Sequence, residues 1–94
     1  MNFKYELPRN WVEVVSNMPE FANGATQVTI RLKNGVEVPA VLVSASKYLI
    51  AARGYKDLPF RLEEIAEIFQ TADDASPALR GDWEYWDNWD KPNE

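Results

Sequence analysis

No cysteine and no histidine occur among the 94 residues. The first absence removes disulfides, thiol nucleophiles and cysteine zinc sites. The second removes the commonest general base, the commonest transition-metal ligand and the usual switch near neutral pH. Glycine is scarce: four residues stand singly along the chain, so there is no glycine-rich phosphate loop. No apolar run approaches the ~20 residues a membrane span needs, and Met1-Asn2-Phe3-Lys4 does not open a signal peptide. The expectation is a cytoplasmic protein with no membrane partner. Carboxylates, lysines, tyrosines and serines remain for chemistry. Glu63-Glu64 and the Glu64/Glu67 pair are expected at the surface without the desolvation that shifts a pKa, and Ser44 and Ser46 beside Lys47 match no nucleophile arrangement. Asp73-Asp74 and the later acids lack the twelve-residue calcium-loop pattern. The chain is therefore expected not to be an enzyme, with no catalytic residue, no cofactor and no metal.

What is present is an ordinary globular balance, 46% hydrophobic and 27% charged, which argues against wholesale disorder and for one core. The charge is unevenly placed. Residues 1–24 carry −1, residues 25–61 carry +4 and residues 62–94 carry −8, within a total of −5. A basic middle and an acidic final third point to attraction between parts of the chain, or to a basic partner.

Trp11 to Val15 is β-branched and aromatic and reads as a strand, and residues 16–26 as a loop pinned by Met18 and Phe21. From Gln27 to Lys33 apolar and polar residues alternate, with Val28, Ile30 and Leu32 on one face. Asn34-Gly35 marks a hairpin to a partner strand Val36–Val43. A two-residue loop would place Leu32 on one face with Glu37. A three-residue loop Lys33-Asn34-Gly35 pairs Leu32 with Val36, Ile30 with Val38, Val28 with Ala40, and Arg31 with Glu37 on the wet face. The second register puts every charge on one side and is expected, with Gly35 left-handed in a type I turn with a bulge. Pro39 implies an edge or a bulge, and beyond it Val41 and Val43 are expected to face outward, needing cover. Ser44-Ala45-Ser46 turns the chain into a third strand Tyr48–Arg53, ended by Gly54, and Tyr55–Pro59 is a loop. Residues 60–70 fit a helix, through Leu62, Ile65, Ala66 and Phe69, or one turn at Leu62–Ile65 entering a strand Ala66–Thr71. The second closes a small barrel and is preferred.

From Val28 to Thr71, the strand order, Asn-Gly hairpin, bent strand at Pro39, third strand ending Arg53-Gly54 and final Glu64-Ile65-Ala66-Glu67-Ile68 resemble the SH3-like small barrels, particularly the Sm-like kind. The resemblance implies a mainly-β fold, a partly open barrel. Where the Sm pattern has a glycine in its bent second strand this chain has Pro39-Ala40. Where it has Asp and Asn near the third strand, this chain has Ser46, Lys47 and Tyr48. Those positions carry the family's RNA contacts, so its functional residues do not transfer. The expected organisation is a barrel domain over residues 1–71 and an acidic, tryptophan-rich segment over 72–94, docked on it.

That segment holds the candidate site. Three of the four tryptophans, Trp83, Trp86 and Trp89, fall within seven residues, with Tyr85 and the acids Asp82, Glu84, Asp87 and Asp90 between them. Large amphipathic aromatics anchor interfaces, and a merely solubilising tail has no use for them. They are expected to pack on this domain, over Val41 and Val43 with the acids meeting Lys47, Arg53 or Lys56, or on another protein. The expected function is a non-enzymatic protein-binding module, in concrete form an inhibitor or immunity or anti-defence protein whose acids mimic phosphate against a basic nucleic-acid-handling enzyme. The alternative is an Sm-like module that self-associates through sheet edges and binds RNA with Arg31, Lys33, Lys47, Arg53, Lys56 and Arg61; a structural subunit of an assembly is a third class. A net charge of −5 disfavours nucleic acid.

Overall fold

The computed structural model describes residues 4–20, 24–75 and 86. The chain order is β1 (Tyr5–Glu6), α1 (Arg9–Ser16), β2 (Ala25–Leu32), β3 (Glu37–Ser44), β4 (Tyr48–Ala52), a 3-10 turn (Leu62–Glu64), β5 (Ile65–Phe69) and α2 (Ala72–Ala75). The strands form one antiparallel sheet in the order β1-β4-β3-β2-β5. It curls into a half-barrel, mainly β and of the small, SH3-like, partly open kind. Among the described residues no helix is long and apolar enough to cross a membrane.

The β2–β3 hairpin forms as its pattern dictates. The Gly35 N–H donates to the Leu32 carbonyl at 2.9 Å and the Leu32 N–H to the Val36 carbonyl at 2.8 Å, which closes the three-residue loop with Gly35 at φ 92°. Ile30 pairs with Val38 and Arg31 with Glu37. Val28, Ile30, Leu32 and Val38 are buried in the main core. Burying such a side chain is worth about 1.5–3 kcal/mol, so a one-residue slip that turns this row outward is strongly disfavoured.

Beyond that point the expected register fails. Val28 pairs with Val41, not Ala40, because Pro39 and Ala40 together oppose Thr29 in a bulge. Ala40 takes a left-handed φ of 55°, a conformation that glycine adopts at no steric cost. β3 lies between β4 and β2, so Pro39 marks a bulge and not an edge. The extra residue reverses the alternation: Val41 and Val43 point into the main core, fully buried, and Leu42 points outward to a second cluster with Ile50 and Ala51. The outward Val41 and Val43 of the sequence pattern are thereby corrected. A second bulge leaves Ile50 as an extra residue on β4, and a third leaves Ala66 extra on β5.

Trp11–Val15 is helical, which corrects the strand expected there. Pro8 occupies the N-cap in an extended conformation at φ −57° and ψ 153°, and its carbonyl accepts from the Val12 N–H at 3.1 Å to open the helix. Trp11, Val12, Val15 and Met18 then fall at i, i+1, i+4 and i+7, one helical face, and all pack on the core. The end is fixed by Asn17 Nδ2 and Ser16 Oγ, which each donate to the Glu13 carbonyl at 2.9 Å. Residues 62–69 follow the turn-and-strand pattern, with Ile65 and Ile68 buried.

Candidate functional site

The chain beyond β5 is fastened to the sheet at two described places. The first is α2. Thr71 and Asp74 cap it reciprocally: the Thr71 N–H donates to Asp74 Oδ2 at 3.0 Å and the Asp74 N–H to Thr71 Oγ1 at 3.2 Å. The same carboxylate lies over the outer face of β2, where it accepts from Gln27 Nε2 at 2.8 Å and Thr29 Oγ1 at 2.8 Å. Asp74, Gln27 and Thr29 are each 2% exposed. A buried carboxylate needs such donors to replace its lost water. Gln70 adds a bond from its Nε2 to the Gln27 carbonyl at 3.0 Å.

The second place is Trp86, 8% exposed and part of the main core cluster. Its backbone N–H donates at 3.0 Å to the carbonyl of Ile50, the extra residue of β4. The indole N–H donates to the Tyr55 carbonyl at 3.3 Å. The Tyr5 ring meets the indole edge to face, centroids 5.7 Å apart and planes at 86°, a favourable geometry for two aromatic quadrupoles. Tyr5 is in turn held by its hydroxyl, which donates to Asp57 Oδ1 at 2.6 Å, and Lys4 lies 3.7 Å from the same oxygen. The Tyr5 hydroxyl, then the Leu58 N–H, holds the Asp57 carboxyl below the ordinary carboxylate range. A cleft of Tyr5, Ile50 and Tyr55 thus receives one tryptophan by ring, indole N–H and main chain together.

Trp86 is the single member of the sequence-predicted aromatic-acidic set within the described residues. Trp83, Tyr85, Trp89, Asp82, Glu84, Asp87 and Asp90 lie outside them.

The basic set is dispersed. Arg31 projects from the outer face of β2, ion-paired with Glu37 at 3.1 Å and with Glu67, and stacked over Phe69 at 5.0 Å. Lys47 pairs with Glu6 at 3.4 Å and Arg61 with Glu63 at 3.3 Å. The Glu6 hydrogen bond and charge raise the Lys47 pKa above its ordinary value. Lys33 and Lys47 stand beyond opposite ends of the eight-residue β3, roughly 25 Å apart at ~3.3 Å per residue. Arg53 follows β4, and Lys56 lies in the loop after it. A cavity of about 330 Å³ lies beside Lys47, lined by Glu6, Leu7, Arg9 and Val12. Among the described residues no three acids gather as a metal site.

Tyr5 and Ile50 were not singled out by sequence, and Asp74 was weighed there only with Asp73 as a calcium ligand. Asp74 had a local signal, the Thr71-x-x-Asp74 spacing of a reciprocal helix cap. The cleft had none, since Trp86 meets partners 31 to 81 positions before it.

No family model, curated protein or solved structure matches the chain.

Proposed function

We propose that the protein is a non-enzymatic protein-binding module that presents an acidic, tryptophan-rich segment to a basic partner. In its concrete form it is a stoichiometric inhibitor, of the immunity or anti-defence kind, of a basic nucleic-acid-handling enzyme. The observation that carries the reading is the pairing of the domain's own cations. Arg31, Lys47 and Arg61 each have an acid of the barrel as partner, Glu37 and Glu67, Glu6, and Glu63. Asp82, Glu84, Asp87 and Asp90 then steer the encounter with a basic cleft, and Trp83, Tyr85 and Trp89 anchor the complex. Trp86 ties the segment to the sheet and limits the freedom it loses on binding.

The test compares the full chain with its Asp82→Lys, Glu84→Lys, Asp87→Lys, Asp90→Lys variant as bait for basic nucleic-acid-handling enzymes. The expected result is capture by the native chain, loss with the charge-reversed variant, competition by single-stranded DNA and an association rate that falls steeply with salt. Equal capture by both baits, or direct RNA binding by the native chain without protein capture, refutes the proposal.

A further inference from the structure

The cavity of about 330 Å³ opens where β1, the start of α1 and the β3–β4 turn meet. Its volume falls at the lower end of the range for small-molecule sites, about 300–1,000 Å³. Backbone bonds hold its walls in place. The Leu7 N–H donates to the Lys47 carbonyl at 2.8 Å, the Lys47 N–H closes the turn on the Ser44 carbonyl at 3.0 Å, and Glu6 pairs with Tyr48 in the sheet. The turn holds Ala45 and Ser46 both in the left-handed region, at φ 55° and 61°. Any residue with a Cβ is strained there, and asparagine or glycine would make the same turn with less cost. Strain of this kind gathers at functional sites, and here it stands immediately before Lys47.

Two apolar side chains, Leu7 and Val12, and three charged ones line the cavity. Two of the charges cancel, since Lys47 Nζ lies 3.4 Å from Glu6 Oε2. Arg9 is left over. It makes no ion pair or side-chain hydrogen bond among the described residues, in contrast to Arg31, Lys47 and Arg61. It also stands first in α1, where the positive end of the helix disfavours a cation, and the first turn holds no acid to offset it. On a chain of net charge −5, the cavity thus offers one uncompensated positive charge beside an apolar wall.

We propose that this cavity binds a small organic acid, one carboxylate on an apolar body. The carboxylate meets the Arg9 guanidinium, whose forked N–H donors match two carboxylate oxygens. The apolar body lies against Leu7 and Val12. A single uncompensated cation suits a monoanion. A phosphate dianion would bring a second negative charge toward Glu6 with no second unpaired cation to meet it. The site is built from Glu6, Leu7, Arg9, Val12 and Lys47 alone, so it stands whatever partner the acidic segment meets.

The test titrates the full chain with hydrocinnamate, with its neutral amide and with inorganic phosphate, each to millimolar concentration, and follows the amide-proton NMR spectrum. Hydrocinnamate is expected to give saturable shifts at Leu7, Arg9, Val12 and Lys47. Arg9→Gln should weaken its binding roughly tenfold, the scale of a hydrogen bond to a charged group, and leave the spectrum elsewhere unchanged. Arg61→Gln removes an equal charge at the Glu63 pair and should leave the affinity as in the native chain. The neutral amide and phosphate should each bind more weakly than the acid, by a margin similar to that of Arg9→Gln. Shifts that do not saturate, an affinity unchanged by Arg9→Gln, or an equal response to the amide or to phosphate each overturns the proposal.

Discussion

Asp74 and Trp86 both fasten the chain that follows β5, one over the outer face of β2 and the other at the exposed side of β4. Asp74 uses one carboxylate with three donors at fixed positions, each 3.0 Å or closer. Displacing Asp74 would leave the buried Thr29 hydroxyl without its acceptor, a penalty of about 1–3 kcal/mol, whereas Gln27 Nε2 also donates to Asp73 Oδ2 at 3.3 Å. Trp86 relies on ring area, an edge-to-face contact and main-chain bonds. The polar fastening is directional, and the aromatic one rests on buried ring area and bonds to main-chain carbonyls.

The largest expected effect comes from the aromatic side. Trp86→Ala should cost about 3 kcal/mol by the usual scale for buried aromatics in denaturant melts. A loss well below that would break the comparison, since the aromatic fastening would then carry little of the stability. Next is Asp74→Ala, expected to lower stability by about 1–3 kcal/mol by orphaning the buried Thr29 hydroxyl. A neutral result would break the comparison from the other side, since the directional fastening would then have no energetic basis. Two buried threonines three residues apart on β2 refine the same point. Thr29 Oγ1 has its acceptor, whereas Thr26 Oγ1 is buried with none. Thr29→Val should therefore destabilise by about 1–2 kcal/mol and Thr26→Val stabilise by about 1 kcal/mol, opposite signs from one chemical change. Ala40→Gly should gain about 0.5 kcal/mol, the relief of a left-handed alanine less the added freedom of the unfolded chain. The smallest effect is electrostatic. Asp57 is held below its ordinary range, so its contribution is present above the unfolded carboxylate pKa and is lost as pH falls through the lowered folded value. Tyr5→Phe removes the first cause of that shift, and carbonyl-carbon NMR of Asp57 should show its titration moving upward.

The hairpin, the third strand and the turn entering β5 were legible because each rests on local grammar: alternation, Asn-Gly, and a short amphipathic turn. Two errors share one physical origin, a pattern too short to define its own period. Trp11-Val12-Glu13-Val14-Val15 satisfies a strand by composition and a helix by spacing, and Pro8 before it and Met18 after it decide for the helix. Val41 and Val43 were assigned to the wrong face because alternation was carried through Ala40, whose left-handed φ of 55° inserts an extra residue. β1 was missed because two residues carry no periodicity at all. The Trp86 cleft was illegible for a different reason. A carbonyl left free by a bulge, and a second carbonyl just past a strand end, have no side-chain signature.

The Ile50 carbonyl has a further consequence, for solubility. β1 covers β4 only at Tyr48 and Leu49, and the Trp86 N–H closes the next acceptor along that side. An uncovered strand edge is a template on which another chain can add a strand. A shortened chain lacking the tryptophan repeat would expose that template at Ile50, so intermolecular sheet growth, seen as concentration-dependent light scattering, is its expected mode of failure.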